Sequence, residues 1–304
     1  MSRYVVSTVR RLGLLAVVLA LVAVLVPDSA TPEDEVTVVA LPHARGLDTS
    51  DRVVWILAVG SDARPGQDMT RSRGDALQMV GIDTRTGAAA SIGIPRDSWV
   101  PIPGHGSNRV NAALYYGGPQ LLGRTVGSFL GLQPDYVMVT RFTFFENMVR
   151  DIGGITVSNP RPFADEFLKP KGFKAGRIHL GGYDAHVFSR IRKSLPGGDF
   201  DRSANQQRVL RGIAAKVRQR AGQPGFLERG VLSVLRNTRA NAAPAELFRL
   251  AQAVAQVRPG RISTCVLGGS FATINGASVI RPSYAQARRL ANAARRDATL
   301  PRGC

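Results

Sequence analysis

Residues 189–207, S-R-I-R-K-S-L-P-G-G-D-F-D-R-S-A-N-Q-Q, gather Arg190, Arg192 and Arg202 around an acidic, Gly-rich loop that holds Gly197, Gly198, Asp199 and Asp201. Guanidinium groups hold phosphate bidentately, and the free N–H groups and dipole of a helix N-terminus also favour anions. The loop leads into a helical pattern. Positions 202, 206, 209/210, 213 and 217 follow the 3.6-residue period, so Arg202 and Gln206 share the stripe of Val209, Leu210, Ile213 and Val217 that faces a core. A charged group at a buried first turn needs a partner, and a phosphate at the helix start supplies one. The competing reading of this stretch alone is a solvated turn with surface arginines.

A second group of charges lies earlier. Residues 53–59 form a continuous apolar run ended by Gly60, as in a strand buried on both faces, and Asp62 and Arg64 follow directly. Residues 77–82 and 89–94 are strand-like and joined by D-T-R-T-G, a turn with hairpin chemistry. In an antiparallel hairpin the start of the first strand neighbours the end of the second, which brings Arg73 and Asp75 beside Arg96 and Asp97. If the strand ending at Gly60 runs with the second hairpin strand, Asp62 joins them. Three carboxylates and two arginines then share the sheet end where open α/β folds bind ligands. Structural ion pairs capping the strands are the plain alternative.

The elements that must position these groups alternate between strand and helix, which predicts an α/β sandwich. Short helices are expected at 111–116, ended by Gly117 and Gly118, and at 119–130; a strand at 136–140, a helix at 142–150 and a strand at 155–157 follow. Residues 160–174 read as a loop, and a helix at 182–189 delivers Arg190 and Arg192. Further on, Leu247, Leu250, Val254 and Val257 mark a helix, 262–267 and 278–280 edge strands, and 284–296 a basic amphipathic helix. Its arginines suit a solvated face or an anionic membrane surface. Tyr115, Tyr116, Phe129, Phe142, Phe144 and Phe145 read as core, though a lipid substrate would turn this aromatic middle toward a channel.

At 304 residues the chain is long enough for one large domain, and its net charge of +18 implies anionic partners. Nucleic acid falls behind membranes and phosphorylated substrates: two cysteines exclude a zinc finger, and there is no RNA-reading aromatic motif or compact basic block. Arg3, Arg10 and Arg11 precede fifteen uncharged residues, 12–26, closed by Pro27 and Asp28. This reads as a single-pass membrane anchor with its N-terminus in the cytoplasm. Because D-S-A is a poor cleavage site, an uncleaved anchor is preferred to a removed signal peptide. The expected organisation is a cytoplasmic stub and anchor at 1–27, a linker at 28–50 and an extracellular domain at 51–304, with core motifs at 53–220 and a C-terminal extension at 221–304. Export places Cys265 and Cys304 in an oxidising environment, which predicts a disulfide between them.

With these residues in view, the chain resembles the LytR-CpsA-Psr family of cell-wall glycopolymer transferases over about 50–220. The matching pieces are V-G-S-D-A-R at 59–64, R-S-R-G-D at 71–75, I-P-R-D at 94–97, V-N-A-A-L-Y-Y-G-G at 110–118, D-I-G-G-I-T-V at 151–157, and R-I-R at 190–192 followed by D-F-D-R-S-A-N-Q-Q at 199–207. It departs at Asn205, where many members carry a second Arg, and at Asn108-Arg109, where Lys is common. The resemblance implies an α-β-α sandwich around a mixed central sheet. It also implies transfer of a phosphoglycan from a polyprenyl diphosphate carrier to a peptidoglycan hydroxyl. Arg73, Arg96, Arg190, Arg192 and Arg202 would then clamp the diphosphate beside Asp199, with Gln206 donating a further hydrogen bond. Asp62 and Asp75 would hold Mg²⁺, or Mn²⁺ in its place. Asp97 is either the general base or the group that orients Arg96; the second is preferred, because an adjacent guanidinium stabilises the carboxylate and weakens it as a base. A polyprenyl diphosphate phosphatase, which uses water as acceptor, and a non-enzymatic lipid-binding regulator are the competing functions.

Overall fold

The structure, a computed structural model, describes residues 36–44, 53–226, 238–302 and 304. Its strands and helices follow the chain as β1 (Val36–Ala40), β2 (Val53–Ser61), β3 (Gly74–Asp83), β4 (Ala89–Gly93), β5 (Trp99–Pro101), β6 (Ser107–Arg109), α1 (Ala112–Leu130), β7 (Tyr136–Thr140) and α2 (Phe142–Asp151). Then come β8 (Ile155–Asn159), β9 (Phe163–Asp165), β10 (Lys169–Phe173), β11 (Gly176–Leu180), α3 (Gly182–Arg190), α4 (Asp199–Arg220), β12 (Thr238–Ala240) and α5 (Pro244–Gln256). The chain closes with β13 (Ile262–Val266), β14 (Gly269–Ile274), β15 (Ala277–Pro282) and α6 (Tyr284–Ala294).

Seven strands form one mixed sheet in the order β12-β1-β7-β2-β3-β4-β13, with β2 at its centre. The apolar run of β2 explains both its place and the layers around it. Successive side chains point to opposite faces. Trp55, Leu57 and Val59 therefore join α1 and α6 in the largest core cluster, where Leu114, Leu122, Phe129 and Leu290 are buried. Val54 instead packs with Phe144 of α2 and Leu247 of α5 on the other face. Helices cover both faces, giving the expected α-β-α sandwich. A third cluster, with Val149, Phe163, Phe173, Phe188 and Val209, joins α2, α3, α4 and the small hairpins. Of the aromatic middle, Phe129 and Phe144 are core and Tyr116 and Phe145 pack against it, whereas Tyr115, expected in the core, is exposed.

The hairpin of β3 and β4 is antiparallel, with Met79 opposite Ile92, and β2 is antiparallel to β3. The C-terminal ends of β2 and β4 therefore meet the start of β3, as the hairpin argument requires. The ladder between β2 and β3 shifts register between Gly60 and Ser61, which pair with Ala76 and Gly74. Asp75 is the residue left over. A bulge of this kind re-aims a side chain at the end of a ladder.

Four expectations change. Val36–Ala40, read within the linker, is β1 and pairs with both β7 and β12; five residues among prolines and acids gain their stability from partners remote in sequence. Residues 160–174 are not a loop but contain the β9–β10 hairpin, with Phe163 and Phe173 each 5.2 Å from Phe188 by ring centroids. Residues 278–280 belong to the separate β14–β15 hairpin, not to an edge of the main sheet. That hairpin docks where the Ile280 amide donates to the Asp97 carbonyl at 2.9 Å. The region after 221 is more than an extension, because β12 and β13 form the two edges of the sheet. The break expected between helices at 111–116 and 119–130 is present within α1, where Gly117 and Gly118 leave helical geometry and Gly118 has a φ of 67°.

The basic helix α6 turns two arginines onto its neighbour: Arg288 donates to the Ser128 carbonyl at 3.0 Å and Arg295 to that of Gly131 at 2.6 Å. Cations at the C-terminus of α1 satisfy its open carbonyls and dipole. The anchor expected at 1–27 lies outside the described residues. Among the described residues no helix is long and apolar enough to cross a membrane.

Cys265, in the buried edge strand β13, is bonded to Cys304 across a sequence separation of 39, with Cα atoms 5.9 Å apart. Closing a loop of this size stabilises the fold by about 4 kcal/mol in the chain-entropy model. Titration of the denatured, unreduced protein should accordingly find no free thiol, and Cys304→Ser should lower unfolding free energy by up to about that amount. Two reactive thiols per chain would remove the tether.

Candidate functional site: an arginine–aspartate network at the sheet end

Loops leaving β2 and β4, the bulge at the start of β3, and the ends of α3 and α4 bring most of the singled-out charges into one network. The Arg96 guanidinium contacts Asp75 through Nη1 and Oδ1. Its backbone N–H donates to Asp199 Oδ2 at 3.1 Å, and Asp199 Oδ1 in turn meets Arg202 Nη2. Asp97 receives three guanidinium groups: Arg192 at 3.5 Å, Arg109 at 3.5 Å and Arg96 at 3.9 Å. Asp62 Oδ1 accepts from the Arg73 backbone N–H at 3.0 Å and from Ser72 Oγ at 3.3 Å. The Arg73 side chain is exposed and has no ion pair among the described residues. Arg190 stands aside, its guanidinium carbon 5.4 Å from the centre of the Phe142 ring.

Electrostatics divide these groups by depth. Burial works against the charge on Arg96, but Asp75, Asp97 and Asp199 together outweigh it and raise its pKa. Arg202 is only 3% exposed; burial lowers its pKa against the pull of Asp199, and Arg96 and Arg192 add repulsion. Burial likewise pushes the Asp199 carboxyl up against the pull of Arg202. The arginines of the site outnumber its carboxylates, so the cluster as it stands is short of negative charge. A diphosphate would supply it.

Two details differ from expectation. Helix α4 begins at Asp199, and Asp199 and Asp201 occupy its first turn, with Asp201 Oδ2 accepting from the Gly197 amide at 2.9 Å. The dipole of the helix start is answered by the chain's own carboxylates. An anion at this place would meet guanidinium groups and not the helix start, with Arg202 lying beneath Asp199. Gln206, assigned to the substrate, is instead turned into the sheet: its Oε1 accepts from Gln78 Nε2 at 3.1 Å and its Nε2 donates to the Ser189 carbonyl at 3.3 Å. Asn205 accepts from Arg208 at 2.7 Å.

The site also contains residues the sequence reading passed over. Arg109 bridges Asp97 and the Ser278 carbonyl, to which its Nη2 donates at 2.6 Å. Buried His186 places Nδ1 2.6 Å from Glu146 Oε1 and stacks on Phe142 at 4.4 Å, with no partner at Nε2. Its position four residues before Arg190, on the same helix face, was the available signal.

As metal donors, Asp62 and Asp75 each have one oxygen engaged. Among the described residues no three His, Cys, Asp or Glu side chains converge as a cage. Two hard carboxylates suit Mg²⁺ when phosphate oxygens and water complete its shell. Cavity size does not locate the chemistry: clefts of about 840 and 850 Å³ lie elsewhere, while Asp97, Arg192 and Asp199 line one of about 310 Å³.

Comparison with known proteins agrees with this geometry. Residues 27–296 match the LytR_cpsA_psr family. A Bacillus anthracis protein named polyisoprenyl-teichoic acid–peptidoglycan teichoic acid transferase TagU is 32% identical over 197 residues, 64% of this chain and 62% of that protein. The chain thus aligns with somewhat less than two thirds of its curated relative's length. Among solved structures, B. subtilis TagV superposes with a TM-score of 0.65 at 24% identity, covering 83% of this chain and 100% of TagV. A LytR-CPS2A-psr family protein, YwtF (TagT), with bound octaprenyl pyrophosphate lipid gives 0.60 at 21% identity, covering 84% and 92%. At such identities the shared property is the fold.

Burial holds the His186 pKa below its ordinary value, against the opposing pull of Glu146. Above about pH 6.5 both folded and unfolded chains carry the neutral ring, so this contribution to stability is complete. Below it the unfolded chain takes up a proton that the folded chain refuses, and stability falls by up to about 1.4 kcal/mol per pH unit. Urea unfolding between pH 7.5 and 5.5 should show this slope, and His186→Asn should flatten it. An unchanged slope in the variant would assign it to other groups.

Proposed function

Since the chain belongs to the LytR-CpsA-Psr family, we propose that it moves a phosphoglycan from a polyprenyl diphosphate carrier onto a hydroxyl of peptidoglycan, releasing polyprenyl phosphate. One observation carries the reading: four guanidinium groups, those of Arg96, Arg109, Arg192 and Arg202, converge on three carboxylates, Asp75, Asp97 and Asp199, at the sheet end. The transfer for which the B. anthracis relative is named and the lipid pyrophosphate bound in the TagT structure support it.

In the reaction the acceptor oxygen attacks the phosphorus that bears the glycan. The bridging P–O bond on the lipid side breaks, and polyprenyl phosphate departs with its electron pair. Such a transition state is loose, with charge spread over the phosphoryl oxygens, and depends on positioning and charge stabilisation more than on covalent help. Arg96, Arg192 and the exposed Arg73 bind the diphosphate, Arg190 would join them only by leaving the Phe142 ring, and Arg202 raises the local potential through Asp199. With three guanidinium groups on it, Asp97 orients the arginines and is a weak base. The hydroxyl proton passes to water as the new P–O bond forms. Asp62 and Asp75 would hold Mg²⁺, which when bound neutralises part of the diphosphate charge. The apolar run at 12–26 serves as a membrane anchor that keeps the domain outside the cell, beside its lipid-linked donor.

In detergent micelles, Arg96→Ala should weaken polyprenyl diphosphate binding by roughly tenfold to a hundredfold, the effect of losing about 1.5 to 3 kcal/mol at a charged hydrogen bond. A variant that binds the lipid as tightly as the parent would remove Arg96 from the site. Release of polyprenyl phosphate should depend on added peptidoglycan, whereas equal release without it would identify a phosphatase.

Asp75→Asn keeps the shape of the side chain and removes its charge. It should leave the fold intact by circular dichroism and abolish turnover, and the parent should lose turnover in excess chelator and regain it with Mg²⁺ or Mn²⁺. Full activity in chelator would exclude the metal role.

A further inference from the structure

On the β4 side of the arginine network the chain builds a small cavity of about 310 Å³ that the diphosphate does not account for. One wall is charged, with Asp97, Arg192 and Asp199. The other comes from the β14–β15 hairpin, where Phe271, Ser278 and Ile280 line it. That hairpin is firmly seated: Ile280 is buried, its amide bonds the Asp97 carbonyl, and Arg109 ties the Ser278 carbonyl to the Asp97 side chain. Phe271 lies directly across the ladder from Ile280, and directly opposed residues of an antiparallel pair share a face. The face that buries Ile280 against the site therefore continues as Phe271 over the cavity. Phe271 remains 65% exposed, supported from one side by the edge of Phe200, 5.6 Å away and tilted by 69°.

We propose that this cavity is the acceptor subsite, in which Phe271, propped by Phe200, stacks against the apolar face of a sugar ring of the peptidoglycan glycan strand. The inference rests on the transferase reading. A single exposed aromatic is ordinary on a protein surface. A ring that overhangs a carboxylate and a guanidinium is a different feature, because a pyranose has an apolar C–H face for the ring and hydroxyls for the charges. The isoprenoid tail is a poor occupant, since it would strand those charges against hydrocarbon. The volume, at the lower end for ligand pockets, suits about one sugar unit. Position separates acceptor from donor. With Asp62 and Arg73 taking the leaving phosphate at the β2–β3 end, as the transferase reading has it, in-line displacement would bring the nucleophile from the opposite side. That side is the β4 flank, where the cavity opens and Asp97 can accept a hydrogen bond from the incoming hydroxyl.

The test uses the full chain in detergent with lipid-linked donor and peptidoglycan fragments freed of their peptides. Phe271→Ala should raise the acceptor KM about tenfold, the loss typical of truncating an aromatic anchor. Its kcat and its affinity for polyprenyl diphosphate should stay near the parent's, and Phe271→Trp should restore the KM. An unchanged acceptor KM overturns the proposal, and so does a parallel loss of lipid affinity, which would give the ring to the donor. Calorimetric binding of the same fragments separates this proposal from the transferase reading. Fragments that bind the parent but not Phe271→Ala uphold the subsite even if no transfer occurs, whereas equal binding to both proteins, or none to either, sinks it.

Discussion

The site depends on a set of buried amides that fix α4 to the sheet. Gln78, in the middle of β3 and 2% exposed, donates to Ser203 Oγ at 3.1 Å and to Gln206 Oε1 at 3.1 Å, and its Oε1 accepts from Ser91 Oγ at 3.0 Å. Gln207 donates to the carbonyls of Ser91 at 3.1 Å and Cys265 at 2.8 Å. A buried amide left unpaired costs about 1–3 kcal/mol, so the helix cannot slide or rotate without leaving several groups unsatisfied. The approach is close enough that a Cβ at Gly93 would collide with Ser203 Oγ. Apolar packing alone would tolerate small shifts of α4; the amides allow one register, and that register sets the depth of Arg202.

Depth then decides the electrostatics. Arg202 can be kept in a buried place only because Asp199 is beside it, and Asp199, itself disfavoured there, also holds the backbone of Arg96. The carboxylates at the front of the site do the same for the outer guanidinium groups. In this form Arg96, Arg109, Arg192 and Arg202 are held in place by the chain's own carboxylates. Preorganised charge of this kind stabilises a developing transition state more effectively than side chains that must first be gathered.

Much of this was legible in the chain because its signals were local. The turn at D-T-R-T-G and the apolar run ending at Gly60 correctly placed Asp62, Asp75, Arg96 and Asp97 at one sheet end, since hairpin pairing and strand direction follow from short segments. What failed depended on distant partners. Val36–Ala40 looks like linker until β7 and β12 are beside it. Gln206 carries an amide that suits phosphate as well as another glutamine, and only Gln78, 128 residues away, decides. The period of α4 gives its buried first turn, but not that the carboxylate beside Arg202 there is the chain's own Asp199. Periodicity gives the face of a helix and not the chemistry opposite it. His186 was hidden for the same reason, because Glu146 and Phe142 lie on another helix.

The C-terminal third follows from the same constraint. β13 closes the edge beside β4 in parallel register, with Cys265 opposite Ile92, one residue before the end of β4 and four before Arg96. Gln207 reaches the Cys265 carbonyl, so this edge strand is also part of the amide set that fixes α4. An edge strand has one neighbour only and is the place where a sheet frays. The Cys265–Cys304 bond holds that strand to the chain end, and the β14–β15 hairpin that follows β13 is pinned at Asp97. Loosening β13 would therefore act on the site from two directions: through Gln207 on the depth of Arg202, and through the hairpin on the orientation of Asp97. The covalent tether therefore stabilises a strand whose movement would disturb both sides of the site.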